Sequence, residues 1–252
     1  MSATPFCLAG RVALVTGANT GIGQGIAVAL AAAGADIAAV GRSSPAETGE
    51  RVRAAGRRFF ALEAELGSAA PCRQIVQEVS AHLGAVDILV NNAGMIRRGA
   101  ALEFSESDWD AVMNVNLKTV FFLAQAVART MVPRGHGKII NIASMLSFQG
   151  GIRVASYTAS KSGLAGLTRL LANEWASQGV NVNAIAPGYF ATNNTTALRS
   201  DESRNRDILA RIPAGRWGQP AELGGAAVFL AAPASDYVHG AIIPVDGGWL
   251  AR

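Results

Sequence analysis

Short apolar runs, rich in β-branched residues, alternate with longer amphipathic runs along the whole chain. Buried parallel strands give the short runs and the helices that connect them give the amphipathic ones, so the alternation predicts successive βα units. Such units predict an α/β fold, with a parallel sheet covered by helices on both faces. We predict strands near residues 12–16, 36–40, 58–62, 88–91, 138–142, 181–185 and 241–245. We predict helices that begin near Gly21, Ala46, Ala69, Glu106, Ser156 and Pro220.

No linker or change of composition divides the 252 residues, so we predict one domain over residues 1–252. The connection at residues 188–216 differs from the others, because it is polar and rich in Thr and Asn where a short turn would suffice. A long insertion at this point predicts a substrate loop or lid.

Charge and composition exclude several classes of protein. The formal net charge is +4 and the basic residues are scattered, which argues against a nucleic-acid-binding surface. The first ten residues lack a basic segment followed by an apolar one, and Gly34 and Asp36 interrupt the most apolar stretch, so we expect no export signal and no membrane span. Cys7 and Cys72 lie far apart and the histidines are isolated, which predicts a cytoplasmic protein with free thiols and no metal site.

The charged fraction is low for a soluble chain, at 16%. A monomer with so few charges would expose large apolar patches. We therefore expect an oligomer.

A glycine-rich turn follows the first predicted strand at residues 16–23. Glycine allows a positive φ and a close approach of the backbone to a diphosphate, and the helix that follows presents free N–H groups. This pattern favours a dinucleotide site. The spacing G-x-x-x-G-x-G differs from the commonest fingerprint, so a tight βα turn without a ligand is the alternative.

The end of the second predicted strand bears on the choice of coenzyme. Gly41 stands where a carboxylate would hold the adenosine ribose, and Arg42 follows it. The missing carboxylate and the adjacent guanidinium favour NADP. A solvated loop at Arg42 is the alternative.

Tyr157 and Lys161 are one helical turn apart on a helix with a regular apolar face. A nearby ammonium group lowers the pKa of a phenol, so the pair predicts an acid/base tyrosine. Ser144 follows the predicted strand at 138–142, at the sheet edge where α/β folds bind ligands, and its hydroxyl can donate to a substrate carbonyl oxygen. Each residue alone has an ordinary structural interpretation. Together, after a glycine-rich turn, they indicate catalysis.

In these motifs the sequence resembles the short-chain dehydrogenase/reductase family over nearly its whole length. The matching pieces include residues 16–23, 91–94 and 115–117, Ser144, the Tyr157 and Lys161 pair, and Pro187-Gly188 followed by Thr192. The resemblance implies a Rossmann-like doubly wound sheet of seven parallel strands, hydride transfer between a carbinol and a carbonyl, and a homotetramer. In that tetramer the helices that carry Asn116 and Tyr157 would pack against copies of themselves.

The resemblance also implies roles for individual residues. Tyr157 would be the acid/base, Ser144 would polarise the reacting oxygen, Lys161 would tune Tyr157, and Asn116 would hold a water in a proton relay. The residues implied in coenzyme binding, with Tyr157 and Lys161, are Gly17, Asn19, Thr20, Gly21, Ile22, Gly23, Arg42, Glu65, Leu66, Asn92, Ala93, Gly94, Pro187, Gly188, Phe190 and Thr192.

Loop segments at residues 102–116, 142–163, 186–195, 211–218 and 246–252 resemble more closely those family members that act on keto-deoxy sugar acids. Those enzymes are usually described with NAD, whereas Arg42 favours NADP, so both coenzymes remain open. Candidate substrate residues are Arg97, Gln149, Arg153, Asn193, Asn194 and Trp217. A 3-oxoacyl carrier-protein reductase is the enzymatic alternative, and a nucleotide-sensing regulator is the non-enzymatic one.

Overall fold

The computed structural model describes residues 4–252. Its seven strands form one fully parallel sheet in the order β3-β2-β1-β4-β5-β6-β7. The strands are β1 Val12–Thr16, β2 Asp36–Gly41, β3 Phe59–Glu63, β4 Ile88–Asn91, β5 Gly137–Ile142, β6 Val180–Pro187 and β7 Ile242–Val245. The prediction of a Rossmann-like doubly wound sheet is confirmed.

Helices cover both faces of the sheet. They are α1 Gly21–Ala32, α2 Ala46–Ala54, α3 Cys72–Leu83, α4 Glu106–Met113, α5 Thr119–Arg134, α6 Ala155–Trp175, α7 Thr196–Ser200, α8 Glu202–Arg211 and α9 Gly224–Ala231. Residues of α1 and α9 belong to one apolar core cluster, and residues of α3, α5 and α6 belong to the other. The strands β1, β5 and β6 are buried along their full length, which explains the almost wholly apolar sequence of β1. In β5 and β6 the buried run also includes the polar residues Lys138, Asn141, Asn181 and Asn183.

Three helix boundaries differ from the sequence prediction. Helix α3 begins at Cys72, three residues after the predicted start. The helix expected from Pro220 starts as a 3₁₀ turn and becomes α-helical at Gly224. The helix predicted from Glu106 is continuous to Arg134 through a π-helical turn, Asn114–Lys118, which separates α4 from α5.

The segment expected to be a loop or lid at 188–216 contains α7 and α8. The Asp201 side chain accepts a hydrogen bond from the Arg204 N–H and thereby caps α8, whose buried Ile208 packs on the protein. The polar sequence of this segment arises because a solvated helix buries only a narrow apolar face.

The helix over Glu106–Arg134 is the one segment within residues 4–252 that is long and apolar enough to cross a membrane by length and composition. Half of its apolar window is buried inside the chain.

Candidate active site

The glycine-rich turn joins β1 to α1 at the carboxyl edge of the sheet. Gly17 has a φ of +66° and Gly21 a φ of +56°, conformations that favour glycine. A Cβ at Gly23 would collide with the Gly17 carbonyl oxygen and with the Asn92 side chain. The backbone at this turn is therefore free of side-chain cover and can approach a phosphate closely.

Hydrogen bonds fix this turn to β4. The Asn92 Nδ2 donates to the carbonyl oxygens of Thr16 and Gly17, at 2.9 and 3.1 Å. The Thr16 hydroxyl oxygen accepts from the backbone N–H groups of Asn92 and Ala93, both at 3.0 Å. These bonds hold the phosphate side of the site rigid against the central strand.

A cavity of about 1000 Å³ runs along the carboxyl edge of the sheet from this turn to α8. Most predicted coenzyme residues line it, namely Gly17, Asn19, Thr20, Ile22, Gly23, Arg42, Glu65, Leu66, Asn92, Ala93, Gly94, Tyr157, Lys161, Pro187, Gly188, Phe190 and Thr192. Gly21, the first residue of α1, is the predicted coenzyme residue that this lining does not include within residues 4–252. An open glycine turn at one end of so long a cavity fits a dinucleotide.

At the ends of β2 and β3, the Arg42 guanidinium lies 3.8 Å from the Glu65 carboxylate, and both side chains are largely exposed. Gly41 also lines the cavity. The guanidinium therefore has a carboxylate neighbour that any incoming phosphate would have to displace.

Ser144, Tyr157 and Lys161 meet on one wall of the cavity. The Lys161 ammonium donates to the Ile142 carbonyl oxygen at 2.6 Å and lies 5.6 Å from the centre of the Tyr157 ring. The Leu146 N–H donates to the Ser144 hydroxyl oxygen at 3.2 Å, which leaves the hydroxyl proton free to donate. The ends of β5 and α6 thus bring together the three side chains predicted to be catalytic.

Burial changes the pKa of both ionisable members of this group. It raises the pKa of Tyr157 above its ordinary 10.0, while hydrogen bonding to the Ser144 hydroxyl and the charge of Arg98 act to lower it. Burial lowers the pKa of Lys161 from 10.5 to about 8. Additional positive charge beside Tyr157 is therefore needed before a phenolate forms at neutral pH.

Asn116 occupies the π-helical turn and is fully buried behind the cavity wall. Its side chain accepts from the Met95 N–H and donates to the Met95 carbonyl oxygen, both at 2.9 Å, and its Nδ2 also donates to the Ser160 hydroxyl at 3.3 Å. Ser160 in turn donates to the Tyr157 carbonyl oxygen at 2.8 Å. A π-turn at such a position is typical of functional sites, and here it connects the Asn116 amide to the backbone of Tyr157.

The candidate substrate residues divide into two groups. Arg97, Gln149 and Asn194 line the cavity. Within residues 4–252, the lining does not include Arg153, Asn193 or Trp217.

Contacts explain several of these positions. The Arg97 guanidinium pairs with Asp108 at 3.2 Å. The Trp217 indole donates to the Asn205 side chain at 2.7 Å, and the Arg153 carbonyl oxygen accepts from Gly99 at 3.1 Å. The side-chain contacts favour structural roles for Arg97 and Trp217, while the Arg153 contact involves its backbone alone.

Sequence reasoning missed several charged and aromatic residues of the lining, namely Arg98, Tyr189, Arg204, Asp207, Arg211 and Trp249. For α8 a signal was present, because Arg204, Ile208 and Arg211 recur at helical spacing. For Arg98, which directly follows Arg97, the sequence contains no signal that distinguishes the two side chains.

The fold and site define a class, the dinucleotide-dependent oxidoreductases with a Ser-Tyr-Lys centre. The sequence pattern of the short chain dehydrogenase family matches residues 11–203. The chain belongs to the short-chain dehydrogenase/reductase family, as the motifs indicated.

Individual relatives cover the whole chain. The 2-dehydro-3-deoxy-D-gluconate 5-dehydrogenase of Dickeya dadantii is 63% identical over 98% of both chains. A candidate 2-deoxy-D-gluconate 3-dehydrogenase from Agrobacterium tumefaciens, solved with bound NADP, is 59% identical with a TM-score of 0.93 over 99% of this chain and 100% of that one. A gluconate 5-dehydrogenase from Burkholderia cenocepacia, solved with NADP and tartrate, is 43% identical with a TM-score of 0.94 over 100% of both chains. The closer resemblance to enzymes of keto-deoxy sugar acids is confirmed.

Proposed function

We propose that this protein is an NAD(P)-dependent dehydrogenase that interconverts a secondary alcohol and a ketone on a keto-deoxy sugar acid. One observation carries the proposal: a single cavity contains both the open glycine turn and the Ser144, Tyr157 and Lys161 group. The 2-dehydro-3-deoxy-D-gluconate 5-dehydrogenase relative supplies the substrate class.

The chemistry that a nicotinamide coenzyme supplies in such a site is hydride transfer at the carbon that carries the reacting oxygen. Ser144 donates its hydroxyl proton to that oxygen, and Tyr157 takes the alcohol proton in oxidation or returns it in reduction. Lys161 supplies positive charge beside the ring. Asn116 acts as a positioning residue, because its amide holds the backbone of Met95 and the hydroxyl of Ser160.

For the coenzyme we propose dual use, with NADP(H) binding supported by Arg42. The NADP bound by the Agrobacterium and Burkholderia relatives agrees with this interpretation. Glu65 opposes it, because its carboxylate would repel a 2′-phosphate.

A sugar acid also suits the charges of the cavity, which is lined by six cationic side chains and two carboxylates. Besides Arg42 and Lys161, the cations of the lining are Arg97, which is paired with Asp108, and Arg98, Arg204 and Arg211. Arg98 lies near enough to lower the pKa of Tyr157, so we propose that it binds oxygen atoms at the reacting end of the substrate. This polar lining disfavours the apolar acyl chain of a 3-oxoacyl carrier-protein reductase, and the intact catalytic group disfavours a regulator without activity.

We further propose that the protein works in the cytoplasm as a homotetramer built on α4, α5 and α6. Apolar side chains remain exposed on two of these helices, with Trp109 of α4 at 39% and Leu170 of α6 at 46%. A second copy of the chain would bury them.

A rate panel tests the proposed function. Purified enzyme is assayed with a series of sugar acids, including 2-dehydro-3-deoxy-D-gluconate, and with 3-oxoacyl thioesters, each with both coenzymes. We expect the highest kcat/KM on a keto-deoxy hexonate. Turnover of oxoacyl thioesters alone, or coenzyme binding without turnover of any substrate, would contradict the proposal.

A further inference from the structure

The substrate end of the cavity contains a cluster of three side chains from three separate segments, which we call the α8 clamp: Gln149, Arg211 and Trp249. The Arg211 guanidinium lies over the Trp249 indole, 4.1 Å from the ring centre. The Gln149 Oε1 accepts from both the Arg211 guanidinium and the Trp249 indole N–H, each at 3.3 Å. All three residues line the cavity.

The base of the clamp is rigid. Trp249 is only 5% exposed and packs in an apolar cluster with Met145 and Ile208. The Tyr189 ring lies 4.8 Å from the Trp249 ring, and the Asp246 carboxylate accepts from the N–H groups on either side of Trp249, both at 2.9 Å. The indole is therefore a fixed platform beneath a guanidinium that extends towards the cavity.

Among the described residues, Arg211, like Arg98 and Arg204 of the same lining, lacks the acidic partner that two other arginines near this end of the site have, and its stacking on Trp249 distinguishes it from Arg98 and Arg204. Arg97 is paired with Asp108, and Arg216 is paired with Glu222. Within residues 4–252, no carboxylate lies within ion-pair distance of Arg211. Stacking on Trp249 fixes the plane of the Arg211 guanidinium, and Gln149 accepts a hydrogen bond from one of its nitrogens. The remaining N–H donors therefore point in a defined plane.

We propose that Arg211 binds the carboxylate of the substrate, with Trp249 and Gln149 as the positioning residues that hold its plane. This inference rests on the proposed function, since it assumes an acidic substrate. Arg98 lines the same cavity and its charge acts to lower the pKa of Tyr157, so we assign it to the reacting end. A hexonate that reacts near one end of its carbon chain carries its carboxylate at the other, and the α8 clamp offers a stacked, unpaired cation for it.

The test compares Arg211→Met with Arg206→Met. Arg206 lies on the same helix, is exposed and does not line the cavity, so the control makes the same change outside the site. We expect Arg211→Met to raise KM for the sugar acid about 10- to 100-fold, the range for loss of a hydrogen bond to a charged group, with kcat changed less than about threefold. KM for the coenzyme and the thermal midpoint should match those of the control.

Two further measurements separate binding from structure. On an uncharged analogue of the sugar acid, in which an amide replaces the carboxylate, Arg211→Met should perform like the wild type. Trp249→Phe keeps a smaller ring, and we expect a smaller rise in KM that again is specific to the charged substrate.

Equal losses on the charged and uncharged substrates would overturn the inference and assign Arg211 to the stability of α8. An unchanged KM for the sugar acid would also overturn it. Failure of the proposed function would appear separately, as the absence of sugar-acid turnover by the wild-type enzyme.

Discussion

Tyr157 is the residue on which the chemistry depends, and its surroundings oppose its ionisation in the free protein. Burial raises its pKa, while Ser144 and Arg98 act in the opposite direction. Tyr157→Phe keeps the aromatic ring beside Lys161 and removes only the proton carrier. We expect turnover to fall at least about 100-fold with coenzyme affinity retained, because general acid/base groups typically contribute that much. Steady-state rates and a coenzyme titration measure this. A variant that keeps more than about a tenth of the activity would exclude Tyr157 as the acid/base.

Burial of Lys161 makes the free energy of unfolding increase with pH above about 8. Its pKa is about 8 in the folded protein against an ordinary 10.5, so between these values the unfolded chain binds more protons. Stability contributed by this group therefore rises with pH from about 8 to about 10. Urea unfolding of the coenzyme-free protein at pH 8, 9 and 10 measures this free energy of unfolding. In the wild type it should rise by about 2 to 3 kcal/mol over this range, and in Lys161→Met this rise should be absent. Identical pH dependence in the two proteins would refute this origin.

At the scale of the elements, coenzyme choice depends on how the ends of β2 and β3 face each other. Arg42 at the end of β2 is 71% exposed, so its ion pair with Glu65 after β3 is weak and a 2′-phosphate can replace it. Arg42→Ala should raise KM for NADP(H) about tenfold and leave KM for NAD(H) within about twofold, since NAD lacks that phosphate.

The matched variant is Glu65→Gln, which removes the competing carboxylate. Glu65→Gln should lower KM for NADP(H) by a few-fold. In the double variant that also carries Arg42→Ala, the same change should leave KM for NADP(H) unaltered. Equal changes for both coenzymes would show that Arg42 serves another purpose.

The strands could be predicted to within about two residues, because burial on both faces favours short apolar runs rich in β-branched residues, such as β1. Tyr157 and Lys161 could be predicted because their spacing places them on one helix face.

Arg97 and Arg98 could not be told apart, since adjacent loop residues have no periodicity and only Asp108 decides which one is paired. Trp217, which directly follows the polar insertion, is a sequence candidate that lies outside the lining, whereas the C-terminal turn at Asp246 brings Trp249 to the cavity. That contact joins segments distant in sequence, and no local pattern encodes it.

At the scale of the whole molecule, α4 and α6 each expose a large apolar side chain, Trp109 and Leu170. The stretch Glu106–Arg134 is apolar enough to resemble a membrane span, but only half of its apolar window is buried within one chain. Packing of these helices against copies of themselves would bury apolar surface and would explain the low charged fraction of 16%.

We expect sedimentation velocity to give a particle of four chains, each of 26.0 kDa. Leu170→Glu places a charge on the exposed side of α6, and burying it between copies without a partner should shift the protein towards dimers or monomers. Tyr237→Glu is the control, because Tyr237 is fully exposed and lies outside these helices. A wild-type protein that sediments as a monomer at micromolar concentration would contradict the proposed assembly. So would a Leu170→Glu variant that stays tetrameric, because the apolar face of α6 would then be open to solvent in the assembled protein.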